Sequence, residues 1–300
     1  MLMNGDQAET LRAMSRRASR GGLVGLPVLV RPQPQVIAVV SGKGGVGKTN
    51  LVANLAIAFA RTGSRVLALD GDIGTANLDL ALGVQARGVI TDVLSGAKRI
   101  EDALTPGPEG LFVLPASSGE YDLANLSDRD RGLIFDSIEG LSDKFDVLLI
   151  DCASGIGANA VSFGSAAQRV LLVASPEPTS LADAYATVKV LSSHGAVRRV
   201  QVVASMVSSP AEGEDVFRRL CVLADRFLDV SVEYLGALIN DPAVPASIRT
   251  GVPLLVRSPA SPAAIGVAQI ARKLALDEHF EPVSGAVRLF WRRVLAERSS

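Results

Sequence analysis

The chain has 300 residues, 48% of them hydrophobic and 20% charged, and its formal net charge is −1. That length suits one large α/β domain or two small ones, and the near-neutral charge excludes a global attraction to nucleic acid or to an acidic membrane. Cys152 and Cys221 stand far apart without metal-ligand spacing, which argues against a disulfide framework or zinc site and fits a reducing cytoplasm.

In chain order, the span from Asp6 to Ala18 predicts a short helix, with Ala8, Leu11, Met14 and Ala18 along one stripe. Arg16, Arg17, Arg20 and Gly21-Gly22 end it, and Pro27, Pro32 and Pro34 make an extended linker. Residues 1–35 therefore read as an arm carrying a docking helix, against the bland alternative of a disordered terminus. The first residues lack the basic start and apolar run of a signal peptide, and no apolar run approaches the ~20 residues that span a bilayer.

From Val36, short apolar runs alternate with helical patterns. The expected strands are 36–40, 66–70, 111–115, 146–150, 170–174, 200–204 and 235–239. They are almost continuous in Val, Ile, Leu and Ala, as in strands covered on both faces. Helices are expected near 50–61, 129–140, 180–193, 214–227 and 262–275. The fold class predicted is α/β: a mostly parallel twisted sheet with helices on both faces and ligands at the carboxyl ends of the strands.

The first strand runs into Ser41-Gly42-Lys43-Gly44-Gly45-Val46-Gly47-Lys48-Thr49-Asn50. A strand, a glycine-rich loop ending in Lys-Thr, and a helix form the setting that a nucleotide phosphate needs. Where side chains are missing, backbone N–H groups can close around phosphate oxygens, and the helix N-terminus adds partial positive charge. Lys48 would reach the β- and γ-phosphates, and the Thr49 hydroxyl would hold Mg2+. The bland alternative, a glycine-rich turn with a chance lysine, does not account for strand, loop and helix together.

Two acidic strand ends accompany the loop. Asp70 and Asp72 sit at alternate positions after the second strand and are expected to point to one side. Near a phosphate–Mg2+ centre, a carboxylate orients water for in-line attack or holds a metal-bound water. Asp151 ends the fourth strand and is placed to reach Mg2+ through water, and Gly155 would let the following loop approach the γ-phosphate. Cys152 is expected to pack as a small apolar residue.

Lys43 is not required by the general phosphate-loop pattern. Its presence in KGGVGKT resembles the deviant Walker A loop of the MinD/ParA-type ATPases, whose fold is a MinD-like P-loop NTPase. That resemblance implies ATP with Mg2+, and a homodimer in which each Lys43 crosses to the partner's nucleotide. The run from Asp70 to Asp79 is similar to the family's DxDxGxxNLD switch. By that likeness Asp72 positions the hydrolytic water and Asp70 supports the Mg2+ shell.

Further runs, from Leu114 to Gly119, Leu123 to Ser127, Pro176 to Tyr185 and Ser205 to Val207, are similar to the flagellar number regulators, the FlhG or FleN branch. The arm's Asp6-Gln7-Ala8-Glu9-Thr10-Leu11-Arg12 resembles that branch's DQAxxLR motif. The likeness implies partner contacts at Asp6, Gln7, Ala8, Leu11 and Arg12, and activation of the signal-recognition-type GTPase FlhF. Flagellar switch proteins or a flagellar transcription regulator are further partners that it implies. There are two departures. The family carries Asn where Ser205 stands and commonly has a proline near Asn240, so adenine recognition falls to Ser205, Asn240 and backbone around 240–242.

In the last stretch, Val287, Phe290, Trp291, Val294 and Leu295 follow i, i+3, i+4, i+7, i+8 spacing among Arg288, Arg292, Arg293 and Arg298. Aromatics beside arginines suit an interfacial helix among anionic headgroups, although a terminal helix packed on the domain would show the same apolar positions. Residues 1–35, 36–276 and 277–300 are thus read as arm, ATPase domain and membrane-targeting helix. The expected location is the cytoplasm, peripherally on the inner face of the membrane. His194 and His279 read as ordinary surface residues.

Three classes of function compete. The leading one is an ATP-dependent dimerising switch that controls flagellar number or placement. A MinD/ParA-like cell-division or DNA-partitioning ATPase is the second, but DNA binding needs basic surface clusters, which the sequence shows only at its termini. A cluster-carrying ATPase would need paired cysteines, which Cys152 and Cys221 do not provide.

Overall fold

The structure, a computed structural model, describes residues 34–117, 126–193 and 197–277. In chain order the elements are β1 (Gln35–Val40), α1 (Lys48–Arg61), β2 (Val66–Gly71), α2 (Leu78–Leu82), α3 (Ile90–Leu94), α4 (Ile100–Ala103), β3 (Thr105–Pro106) and β4 (Phe112–Leu114). There follow α5 (Asp128–Glu139), β5 (Val147–Cys152), α6 (Ala158–Ser165), β6 (Arg169–Ala174), α7 (Pro178–Ser193), β7 (Arg199–Val207), α8 (Pro210–Phe227), β8 (Ser231–Ile239), α9 (Ala243–Thr250), α10 (Leu254–Arg257) and α11 (Pro262–Leu276).

Among the described residues, one eight-stranded sheet has the order β3-β4-β2-β5-β1-β6-β7-β8, parallel throughout except for the β3–β4 pair. Alternation splits each central strand between two cores. Val36, Ala38 and Val40 of β1 face the side covered by α5, α6, α7 and α8, whereas Ile37 and Val39 face α1 and α11. Every residue of β1, β2, β5 and β6 is buried, which explains their continuous apolar runs. Gln35 already belongs to β1, one residue inside the expected linker.

Between residues 36 and 276 the seven expected strands and five expected helices are present, with ends shifted by a few residues, whereas the helices expected in the arm and the tail lie outside the described residues. Polar caps account for three of the helix starts. Ser127, Ser209 and Ser261 each accept from a backbone N–H three residues on, ahead of α5, α8 and α11. Pro210 and Pro262 occupy the first helical position, where no N–H is needed. The register places the chemistry at one edge: Asp70 pairs with Asp151 across β2 and β5, and Val39 with Asp151 across β1 and β5.

Candidate nucleotide site

β1 ends at Val40, and the glycine-rich loop turns there into α1. Gly47 has a φ of 89°, a left-handed conformation that suits glycine, just before Lys48 opens the helix. Gly42 lies so close to α7 that a Cβ on it would meet the Asp183 carbonyl at 2.3 Å. The Val46 side chain packs into the core, leaving only its backbone available to a phosphate. The Gly155 N–H donates to the Ser41 carbonyl at 2.8 Å, holding the loop after β5 against the glycine loop.

The ammonium of Lys48 lies 2.5 Å from Asp151 Oδ1, and both side chains are buried. Burial works to lower the Lys48 pKa, but Asp151 more than offsets it, so the lysine keeps its charge. On Asp151, burial pushes the carboxyl upward against the pull of Lys48 and the Thr49 hydroxyl. Its second oxygen, Oδ2, is buried without a hydrogen-bond partner. An orphaned carboxylate oxygen beside the Thr49 hydroxyl fits a Mg2+ shell completed by phosphate and water. Among the described residues no group of three or more His, Cys, Asp or Glu side chains could hold a metal ion.

The two switch carboxylates both lie within electrostatic reach of Asp151, but they differ in burial and setting. Asp70 is the penultimate residue of β2 and fully buried, whereas Asp72 lies beyond the strand end, where alternation no longer governs direction. Asp70 accepts N–H bonds from Asp72, Asn77 and Leu78, each at 3.0 Å, and so clasps the whole switch segment. Burial, followed by the charge of Asp151, pushes its pKa up to about 7. Asp72 Oδ1 accepts only from the Thr75 hydroxyl among the described residues, at 2.8 Å, which leaves lone pairs for water. Cys152 is buried and packs as a small apolar residue.

Lys43 is half-exposed. Its ammonium lies 2.5 Å from Glu177 Oε2 and 3.4 Å from the Thr179 hydroxyl, both at the start of α7. Beside Gly47, a cavity of about 240 Å3 is lined by Asn50, Ser205, Met206, Asn240, Val244 and Ile248, among others. Lys48, Thr49, Asp151 and this cavity therefore adjoin one loop.

A family model described as an AAA domain matches residues 34–195. The chain is 42% identical over 240 residues to the antiactivator FleN of Pseudomonas aeruginosa, covering 80% of this chain and 86% of that protein. The chain is a MinD/ParA-type ATPase of the FleN branch. Its identity to the flagellum site-determining protein YlxH of Helicobacter pylori is 35% over 214 residues, 71% of this chain and 72% of that one. The solved structure of septum site-determining protein MinD from Pyrococcus horikoshii, complexed with Mg-ADP, matches with a TM-score of 0.66 at 29% identity. It covers 80% of this chain and 96% of that chain. Nucleotide and Mg2+ belong to the chemistry of this ATPase family, and the orphaned Asp151 oxygen agrees with that on independent grounds.

The arm residues Asp6, Gln7, Ala8, Leu11 and Arg12 and the tail residues Val287, Phe290, Trp291, Val294 and Leu295 lie outside the described residues, as do His194 and His279. Among the described residues no helix is long and apolar enough to cross a membrane. Sequence reasoning assigned no role to Glu177 or Met206. Glu177 carried a usable signal, an acid beside a helix start, but nothing in the sequence pairs it with Lys43. Val244 and Ile248 of α9 were not expected to line the cavity beside Gly47, because no helix was expected there.

Proposed function

We propose that this ATPase is a flagellar number regulator that acts as an ATP-dependent dimerising switch. The observation that carries the proposal is the half-exposed Lys43 held in its own chain by a still more exposed Glu177. A lysine that served its own phosphates would be buried beside them, as Lys48 is. Lys43 is instead free to exchange one partner for another, and in the dimer it would reach the nucleotide of the second copy. The names of the FleN and YlxH relatives support the flagellar reading.

The residues divide the work. The loop from Gly42 to Gly47, with Lys48, binds the phosphates, while Asn50, Ser205 and Asn240 line the base cavity. Thr49 and Asp151 would hold Mg2+, which when bound neutralises charge on the β- and γ-phosphates. Asp72 orients the attacking water. Asp70 fixes the switch backbone so that Asp72 is presented in one place, beside any part it takes in the Mg2+ shell. Gly155 lets the second switch loop sense the γ-phosphate, and the switches favour the dimer while ATP is present.

In the dimer, the tail from Val287 to Leu295 would engage anionic membrane and the arm would stimulate a FlhF-type GTPase. A peptide of residues 1–20 added to such a GTPase tests the flagellar assignment: accelerated GTP hydrolysis is expected, and no acceleration contradicts it. ATP-dependent sedimentation with anionic vesicles, lost on deleting 285–300, tests the tail; sedimentation without the tail contradicts its role.

A further inference from the structure

The end of β7 breaks the rule that the rest of the strand obeys. Val202, Ala204 and Val207 face the core under α7 and α8, whereas Val203 faces the opposite core. Simple alternation would turn Met206 inward beside Ala204. Instead the register shifts: Ser205 pairs with Leu238 and Val207 with the next residue, Ile239, so Met206 is the extra residue of a β-bulge. Its φ is 59°, left-handed in a residue with a Cβ. Bulge and strain together move an apolar side chain out of the core to 46% exposure, where it lines the cavity beside Gly47.

The Met206 side chain thus gives up burial as well as ordinary backbone conformation. Left-handed backbone at a ligand cavity is commonly retained for the ligand. The other walls are largely apolar: Leu238, Val244, Pro245, Ile248, Leu254 and Val267. The buried carboxylate in the lining, Asp241, already accepts from the N–H groups of Ala243 at 2.8 Å and Ala263 at 3.1 Å. Base contact therefore combines this apolar surface with the polar side chains of Asn50, Ser205 and Asn240.

Building on the nucleotide reading above, we infer that Met206 is a specificity-determining residue. The bulge holds its thioether against the face of the nucleotide base and favours the larger purine over pyrimidines. A polarizable thioether suits an aromatic face, and Leu, similar in volume, would keep part of the contact.

The test is equilibrium binding of ATP, CTP and inorganic tripolyphosphate, each with Mg2+, to full-length wild type, Met206→Ala and Met206→Leu, with thermal unfolding of each free protein. Wild type should prefer ATP to CTP. Met206→Ala should lose about five- to tenfold in ATP affinity, bringing ATP towards CTP, with tripolyphosphate unchanged. Met206→Leu should retain most of the preference. The free Met206→Ala protein should unfold no earlier than wild type. An unchanged ATP-to-CTP ratio in Met206→Ala, or equal losses for ATP and tripolyphosphate, would overturn the inference. Wild type that binds neither tripolyphosphate nor any nucleotide would overturn the phosphate-loop reading and this inference with it.

Discussion

Lys43 and Glu177 form an ion pair at 2.5 Å across the mouth of the phosphate loop, and it joins two residues that solvent can reach. Such a pair is worth about 0.2–1 kcal/mol, so it biases where the lysine rests without locking it. The buried pair of Lys48 and Asp151, a few residues away, belongs to a different regime. One lysine is placed to exchange partners, and the other is fixed.

Glu177→Gln should therefore release Lys43 and favour the dimer. Analytical ultracentrifugation with ATP should show a dimer dissociation constant lower by roughly two- to fivefold. A weaker dimer would mean that Glu177 supports the dimer instead of competing with it.

Lys48→Ala should abolish nucleotide binding and also destabilise the free protein by about 3–5 kcal/mol, because it strands the buried Asp151 carboxylate. Denaturant unfolding checks this. Adding Asp151→Ala should restore part of the stability without restoring binding. ATP affinity unchanged in Lys48→Ala would contradict the assignment of the loop.

Asp72→Ala should leave ATP binding intact and lower single-turnover hydrolysis by about 10²–10⁴-fold. Turnover at the wild-type rate would show that another group orders the water.

Asp146 gives a pH prediction away from the site. Its buried carboxylate accepts from Arg65 Nη2 at 2.7 Å, Nε at 3.1 Å and the Arg65 backbone N–H at 2.8 Å. Burial raises its pKa, but the Arg65 hydrogen bonds more than offset this, so it sits below the usual 3.8. Because the folded value is the lower one, the stabilisation is present above pH ~4 and lost as pH falls through the folded value. Asp146→Asn should cost about 1–2 kcal/mol at pH 7, with half-exposed Arg65 limiting the effect, and less at pH 3. Denaturant melts at both pH values check this, and an equal cost at both would contradict it.

How much of this was legible in the sequence depends on burial. Strands β1, β2, β5 and β6 are covered on both faces, so their apolar runs stand out in one dimension. α6, Ala-Asn-Ala-Val-Ser-Phe-Gly-Ser, is buried almost throughout and has no polar stripe to mark a helix. α2, α3, α4 and α10, of four or five residues, are too short to show a period. Lys48, Thr49 and Asp151 could be picked out as candidates by residue type and spacing, and Asp72 by its likeness to the family's switch motif. The clasp made by Asp70 could not, because its backbone donors depend on how residues 72–78 turn back. Met206 gave no signal either: methionine is not a residue whose type announces left-handed backbone.

The most direct measurement is the solution mass of the Asp72→Ala protein by light scattering, with ATP and with ADP, alone and combined with Lys43→Ala. ATP-driven dimerisation through Lys43 predicts that ATP doubles the mass from the 31.3 kDa of one chain, that ADP does not, and that Lys43→Ala returns the ATP sample to a monomer. A mass indifferent to ATP, or a dimer that persists without Lys43, would contradict it.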